Sequence, residues 1–206
     1  MALSLALIVG YTALYAAVHS WLASNGMKAW ARRAFGPAAG RWYRLAYNLV
    51  GGLTLLPLLP MLIWLPDRVL YTLPAPWLWL ALLGQLVAVL GVLYGLLLTD
   101  AWHFLGLRQL LPAATDAGRH SPPRLVISGA YRWVRHPLYF WGLVFMWLTP
   151  AMTLNRLALF AALSVYLYLG TFFEERRLVA EFGDAYRAYQ RRVPRLIPWR
   201  GPLRQP

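Results

Sequence analysis

The chain has 206 residues, of which 60% are hydrophobic and 13% charged, with a net charge of +13. A soluble domain carries about 25% charged residues, and a short chain cannot hide so large an apolar fraction in one water-facing core. Composition therefore excludes an ordinary soluble fold. The absence of cysteine also excludes disulfides, thiolate metal sites and a cysteine nucleophile, and no metal site is expected.

In chain order, apolar stretches occupy residues 3–22, 45–65, 77–99, 138–152 and 157–173. The first three are near the ~20 residues that cross ~30 Å of hydrocarbon as a helix. The last two are shorter and are separated by residues 149–155, Thr-Pro-Ala-Met-Thr-Leu-Asn. Proline ends helices and asparagine tolerates tight turns, so this pair reads as a helical hairpin. The fold class predicted is all-α: a polytopic integral membrane protein of about five transmembrane helices, read as a single membrane domain over 1–206. Three N-terminal spans fill 1–99, and residues 100–206 form a second half with the hairpin and a C-terminal cytoplasmic segment. No charge precedes the first span, so it lacks the basic leader of a signal peptide and is expected to be retained.

Charge placement sets the orientation. Lys28, Arg32, Arg33, Arg41 and Arg44 lie between the first two spans. Arg108, Arg119, Arg124, Arg132 and Arg135 lie between the third and fourth, and eight arginines follow the fifth. Only Arg68 and Arg156 of the 20 basic residues fall in the other loops. Basic loops stay cytoplasmic, which puts the N-terminus outside and the C-terminus inside, in the cell's inner membrane. Anionic membrane lipid is then a sufficient partner for the charge, and no nucleic acid is required.

After the fifth span, Leu178 and Phe182 stand at helical spacing before Gly183-Asp184. Tyr186, Tyr189 and Val193 then resume an apolar stripe opposite Arg187, Arg191 and Arg192. This pattern predicts short amphipathic helices at the cytoplasmic surface, stopped by Pro194 and Pro198. The spans hold almost no ionisable groups. His19 lies near one end of the first and Gln85 is the main polar side chain at mid-depth, which argues against a proton pump or ion path.

Polar residues gather at two points: Tyr131 through Tyr139 ahead of the fourth span, with Arg135 and His136, and Glu174-Glu175 leaving the fifth. Both points lie equally far along the chain from the turn between the spans, so a hairpin of equal rise sets them at one depth. A cluster of arginine, histidine, tyrosine and two carboxylates suits a zwitterionic sulfonium cofactor: carboxylates bind hydroxyl or amino groups, aromatic faces favour the sulfonium, and arginine holds a carboxylate. Phosphate or haem propionates would also suit it. Each juxtamembrane arginine, taken alone, also reads as a topological anchor, and the two glutamates as partners of neighbouring arginines.

Arg135-His136-Pro137-Leu138-Tyr139, followed by Glu174-Glu175 and then Phe182-Gly183, Tyr186, Tyr189 and Val193-Pro194, resembles the signature of the isoprenylcysteine carboxyl and phospholipid methyltransferase superfamily. Within it, His103-Phe104-Leu105-Gly106-Leu107-Arg108-Gln109 and Trp147-Leu148-Thr149-Pro150-Ala151-Met152-Thr153 resemble bacterial methanethiol S-methyltransferases. The resemblance implies an S-adenosylmethionine-dependent methyltransferase whose acceptor is a small thiol, or alternatively an isoprenylcysteine carboxylate or a phospholipid amine. It implies that Tyr131, Arg135, His136, Tyr139, Glu174 and Glu175 bind the cofactor, with Arg135 and His136 catalytic, and that His103, Arg108 and Gln109 border the substrate. A weaker resemblance of His19-Ser20 and residues 41–48 to NnrU-like membrane proteins implies a different class. That alternative is a haem-binding or isomerase protein, with His19 and His103 as axial ligands.

Overall fold

The structure, a computed structural model, describes residues 1–36, 39–99, 101–110 and 125–203, apart from the side chains of 103, 104 and 109. It divides into two compact units. One comprises Met1–Arg68, Asp100–Pro123 and Leu154–Ala162, the other Val69–Thr99, Arg124–Thr153 and Leu163–Pro206.

In the first unit, α1 (Ala2–Ala23) ends at Ser24, whose backbone is extended and whose hydroxyl accepts a hydrogen bond from the Met27 amide at 3.2 Å. That is an N-cap, and it starts the amphipathic α2 (Asn25–Phe35), with Arg32 and Arg33 in its last turn. Helices α3 (Ala39–Leu55) and α4 (Leu58–Trp64) follow, parted where Pro57 has no amide hydrogen to give. The second span thus starts earlier than its hydropathy suggested, taking Arg41 and Arg44 into its first turns. The short α6 (Ala101–Leu105) completes this unit.

The second unit contains α5 (Trp77–Leu98), α7 (Pro137–Trp147), most of α8 (Leu154–Phe182) and α9 (Asp184–Arg192). Helix α7 packs chiefly on α5. The contact is close because α5 offers glycine there: a Cβ on Gly91 would lie 2.4 Å from the Trp141 ring. A two-stranded antiparallel ladder, β1 (Val69–Thr72) with β2 (Ala151–Thr153), departs from the expectation of helices and a plain turn at 149–155. Val69, Tyr71, Thr72 and Thr153 are β-branched or aromatic residues that favour extended backbone, and each strand satisfies the other's amides.

Among the described residues four helical stretches, Ala2–Ala23, Ala39–Trp64, Trp77–Leu98 and Leu154–Phe182, are long and apolar enough to cross a membrane. Large apolar side chains point outward along them, such as Trp64 at 81% and Leu97 at 76% exposure, as lipid-facing surfaces require. The protein is an all-α polytopic membrane protein. Helix α7 is shorter than drawn from hydropathy: its 11 residues rise only about 16 Å. Helix α8 is longer. Its 29 residues reach about 43 Å against ~30 Å of hydrocarbon. The excess carries Glu174, Glu175, Arg176 and Arg177, so its membrane-crossing part ends at Phe173 and the charged turns emerge.

Gly183 lets α8 hand over to α9: its φ of +56° is a conformation that side-chain-bearing residues rarely adopt. The reversal folds Tyr186, Tyr189 and Val193 into a small buried core with Leu178, Val179, Phe182, Leu125 and Leu203.

Candidate active site

The site is assembled in the second unit from the loop before α7, the emerging end of α8, and α9 with its following strap. Proline shapes the loop. Residues preceding proline are pushed out of helical geometry, and His136 sits at φ −124°, ψ 68° as the N-cap of α7, with buried Pro137 as the first helical residue. The strap holds the loop in place: the Arg135 and His136 amides donate to the carbonyls of Pro194 and Arg195 at 2.9 and 3.1 Å. The Leu203 amide donates to Arg132 O, and Arg132 Nε donates to Leu203 O at 2.7 Å.

Glu175 is the hub. Its side chain is 5% exposed, and four donors converge on it. Arg135 Nε and His136 Nε2 approach Oε1 at 2.7 and 3.1 Å. Gln190 Nε2 and Arg195 Nη2 approach Oε2 at 2.8 and 3.3 Å. Burial alone would raise this carboxyl, but the hydrogen bonds from His136 and Arg135 outweigh it and hold it down at about 2. Arg135 is equally committed, since its Nη1 donates to the Gln190 and Val193 carbonyls at 3.0 and 2.5 Å. Those carbonyls belong to the C-terminal end of α9, where a cation is favoured.

His136 bridges the two carboxylates. Its Nδ1 lies 3.3 Å from Glu174 Oε2 and its Nε2 3.1 Å from Glu175 Oε1. A neutral imidazole has one N–H and the imidazolium two, so a ring facing a carboxylate on each side is protonated. Burial works against this charge, yet the hydrogen bonds to Glu174 and Glu175 prevail and raise His136 above its ordinary value. In this arrangement both ring nitrogens of His136 face carboxylates.

Glu174 is the more open carboxylate, with 35% of its side chain exposed. Tyr139 stacks on His136, with ring centres 5.4 Å apart and planes within 5°, and its hydroxyl donates to Glu174. Tyr131 is placed by the 3-10 turn Gly129–Arg132, and the Tyr189 hydroxyl donates to its carbonyl at 2.6 Å. Burial, and then the charge of Glu174, push the Tyr131 phenol up to about 12. Six of the residues singled out from sequence, Tyr131, Arg135, His136, Tyr139, Glu174 and Glu175, are therefore brought together.

The group His103, Arg108 and Gln109 falls in the other unit. Arg108 is exposed in the short 3-10 turn Arg108–Leu110, while the side chains of His103 and Gln109 lie outside the described residues. His19 is packed between aromatic neighbours: Tyr15 stacks on it at 5.4 Å, the Tyr47 hydroxyl is hydrogen-bonded to its Nε2, and Gly51 backs onto the ring. These contacts account for His19 as a packing residue. Two site residues were not anticipated from sequence, Gln190 and Arg195. Helical spacing contained one clue, since Gln190 lies one turn beyond Tyr186 on the inward face of α9.

A sulfonium donor with an amino-acid tail needs a carboxylate for its ammonium or ribose and aromatic surface for its cationic sulfur. Glu174, partly open and bordered by Tyr131 and Tyr139, fits those needs, whereas the oxygens of Glu175 are already filled.

No family model matches the chain, and no solved structure matches it. Among curated proteins, a methanethiol S-methyltransferase of Crocosphaera subtropica is 32% identical over 201 residues, 94% of this chain and 74% of that protein. Methanethiol S-methyltransferase 2 of Bradyrhizobium diazoefficiens is 34% identical over 195 residues, 90% of this chain and 70% of its own length. Methanethiol S-methyltransferase 1 of the same organism is 44% identical over 80 residues, 39% of this chain and 28% of that protein. Taken with the polytopic helical fold, these likenesses define an integral membrane methyltransferase. The chain belongs to the bacterial methanethiol S-methyltransferase family.

Proposed function

We propose that the protein transfers a methyl group from S-adenosylmethionine to a small thiol such as methanethiol, at the cytoplasmic face of the cell's inner membrane. The observation that carries this reading is the partly open Glu174 carboxylate, fixed by imidazolium and phenol beside a saturated Glu175. The names of the relatives supply the acceptor class, and the charge asymmetry of the loops supplies the orientation.

In this reading Glu174 accepts hydrogen bonds from the donor's ammonium or ribose, and Tyr131 and Tyr139 present ring faces to its cationic sulfur. The donor, when bound, supplies an electrophilic methyl group. His136 holds Glu174 in position and keeps the cluster's charge balanced, and Arg135 clamps α9 against Glu175. The acceptor loses its proton to water and attacks as thiolate, the reactive form of a thiol. One sulfur–carbon bond forms as another breaks, and no general base is required of His136. Alignment and exclusion of water then supply most of the acceleration. Membrane lipid surrounds the spans beneath the site.

A second reading has its own observation. A cavity of about 520 Å³ beside α5 and α7, lined by Gly91, Tyr94, Trp133 and Trp141 among others, is mostly apolar. It favours a bulkier lipophilic acceptor, of the prenylcysteine or phospholipid kind, arriving from the bilayer. Calorimetric titration with S-adenosylhomocysteine tests the donor site: the wild type is expected to bind, and Glu174→Gln to bind roughly ten- to hundredfold more weakly, the worth of one charge-assisted hydrogen bond. Equal binding by both would remove Glu174 from the site.

A further inference from the structure

A second cavity, of about 490 Å³, runs along the strap after α9 and is lined by Arg135, Arg191, Arg195 and Arg200 together with Tyr168, Ile197 and Trp199. No carboxylate side chain is among its lining residues. Arg135 and Arg195 both contact Glu175, a single carboxylate that they share with His136. Arg191 and Arg200 are exposed, and among the described residues neither makes an ion pair. The cavity thus has an excess of positive charge that the described residues do not neutralise.

The guanidinium groups of Arg195 and Arg200 are also held in place. Arg195 lies over the Phe172 ring, 3.8 Å from its centre, and Arg200 over Trp199 at 4.1 Å. Arg200 Nη1 further donates to the Arg191 carbonyl at 3.1 Å. Stacked, preoriented guanidinium forks suit phosphate oxygens better than flexible ammonium groups do. A protein with arginines arranged this way is prepared for a phosphate-bearing anion.

The apolar lining identifies its source. Ile197 and Trp199 stand 71% and 66% exposed at the cavity, a combination usual where protein meets the headgroup layer. Tyr168 lines the same cavity from the apolar part of α8, about 9 Å deeper along the helix axis than Glu174. The cavity therefore runs from a cationic level down into hydrocarbon depth. A free phosphate would leave the lower part unfilled, whereas a glycerophospholipid fills both.

We infer that this cavity binds an anionic glycerophospholipid, its phosphate between Arg191, Arg195 and Arg200 and its glycerol and first acyl carbons against Tyr168, Ile197 and Trp199. The site is separate from the Glu174 face and does not depend on which acceptor is methylated.

The test uses purified full-length protein in neutral detergent micelles with trace radiolabelled dioleoylphosphatidylglycerol. Saturable binding is expected, resistant to competition by dioleoylphosphatidylcholine and by millimolar inorganic phosphate. The double variant Arg191→Gln, Arg200→Gln should bind about 25-fold more weakly, roughly fivefold for each charge, with unchanged affinity for S-adenosylhomocysteine. Arg191→Lys, Arg200→Lys should retain most of the lipid binding. Equal competition by phosphatidylcholine, or undiminished binding by the glutamine variant, would overturn the proposal. Displacement by inorganic phosphate would assign the arginines to a soluble anion, and displacement by S-adenosylhomocysteine would assign the cavity to the methyl donor; either result also overturns it.

Discussion

Arg135 and Glu175 form an ion pair of 2.7 Å whose side chains are 9% and 5% exposed, between residues 40 positions apart. The pair joins the loop before α7 to the emerging end of α8, and Arg135 carries the link on to α9 through two backbone carbonyls. Removing one partner of a buried pair leaves the other charge stranded, at a cost of about 3–5 kcal/mol. Glu175→Gln is therefore expected to lower the thermal midpoint in detergent by many degrees. Glu174→Gln, at a partly open position, should lower the midpoint by a smaller amount. Similar midpoints for the two variants would contradict the division between hub and open carboxylate.

The cluster also sets a pH window. His136 is raised above its ordinary 6.5, so its contribution to stability is complete below 6.5 and is lost as pH climbs through the raised value. Glu175 is depressed from 4.5 to about 2; its contribution is complete above 4.5 and fades as pH falls toward 2. Both act fully between about 4.5 and 6.5. The stability difference between wild type and His136→Gln should be largest there and should shrink as pH climbs through the raised His136 value. A difference that grows with rising pH would show that the ring is neutral in the folded protein.

Close packing of α5 on α7 rests on a missing side chain. A methyl group at Gly91 would meet the Trp141 ring at 2.4 Å, so Gly91→Ala should destabilise by about 1–3 kcal/mol, the range for overpacking a filled core. Gly10, with nothing within 4 Å of its would-be Cβ, is the control, and Gly10→Ala should be neutral or slightly stabilising. Equal effects at the two sites in thermal unfolding would refute the close-contact account.

The absence of cysteine makes topology directly measurable. Pro74→Cys, between β1 and α5, should react with an impermeant maleimide on intact spheroplasts. Arg192→Cys, at the end of α9, should react only after lysis. The reverse pattern would invert the proposed orientation and place the site away from the cytoplasm.

Much of this architecture was legible in the residues. Apolar runs located the spans, and the interruption at Gly183-Asp184 located the break between α8 and α9. Counting outward from the 149–155 segment brought His136 to Glu174, and the 3.3 Å contact is there. The path between them is not a plain helical hairpin: α7 supplies only part of the rise, and a turn leading into the extended β2 strand, Ala151–Thr153, follows it. The ladder of β1 with β2 was not legible because it joins residues some 80 positions apart whose sequences carry only weak local preference. Gln190 and Arg195 were missed for a related reason. Hydrogen bonding to Glu175 depends on the reversal at Gly183 and on the strap returning along 135–136, which no spacing rule encodes. Sequence also left His136 as a catalytic candidate, and only its two distances reveal a ring engaged on both sides.

Methyl transfer to a small thiol can be measured against transfer to a lipid in a single experiment. Purified protein is incubated with S-adenosylmethionine carrying a labelled methyl group, and given methanethiol, a farnesylated cysteine or phosphatidylethanolamine in parallel. Labelled dimethyl sulfide is expected in the headspace of the first reaction, at a rate well above label entering either lipid. Faster labelling of the farnesylated cysteine or of phosphatidylethanolamine, or no dimethyl sulfide while the protein binds S-adenosylhomocysteine, would contradict the small-thiol account.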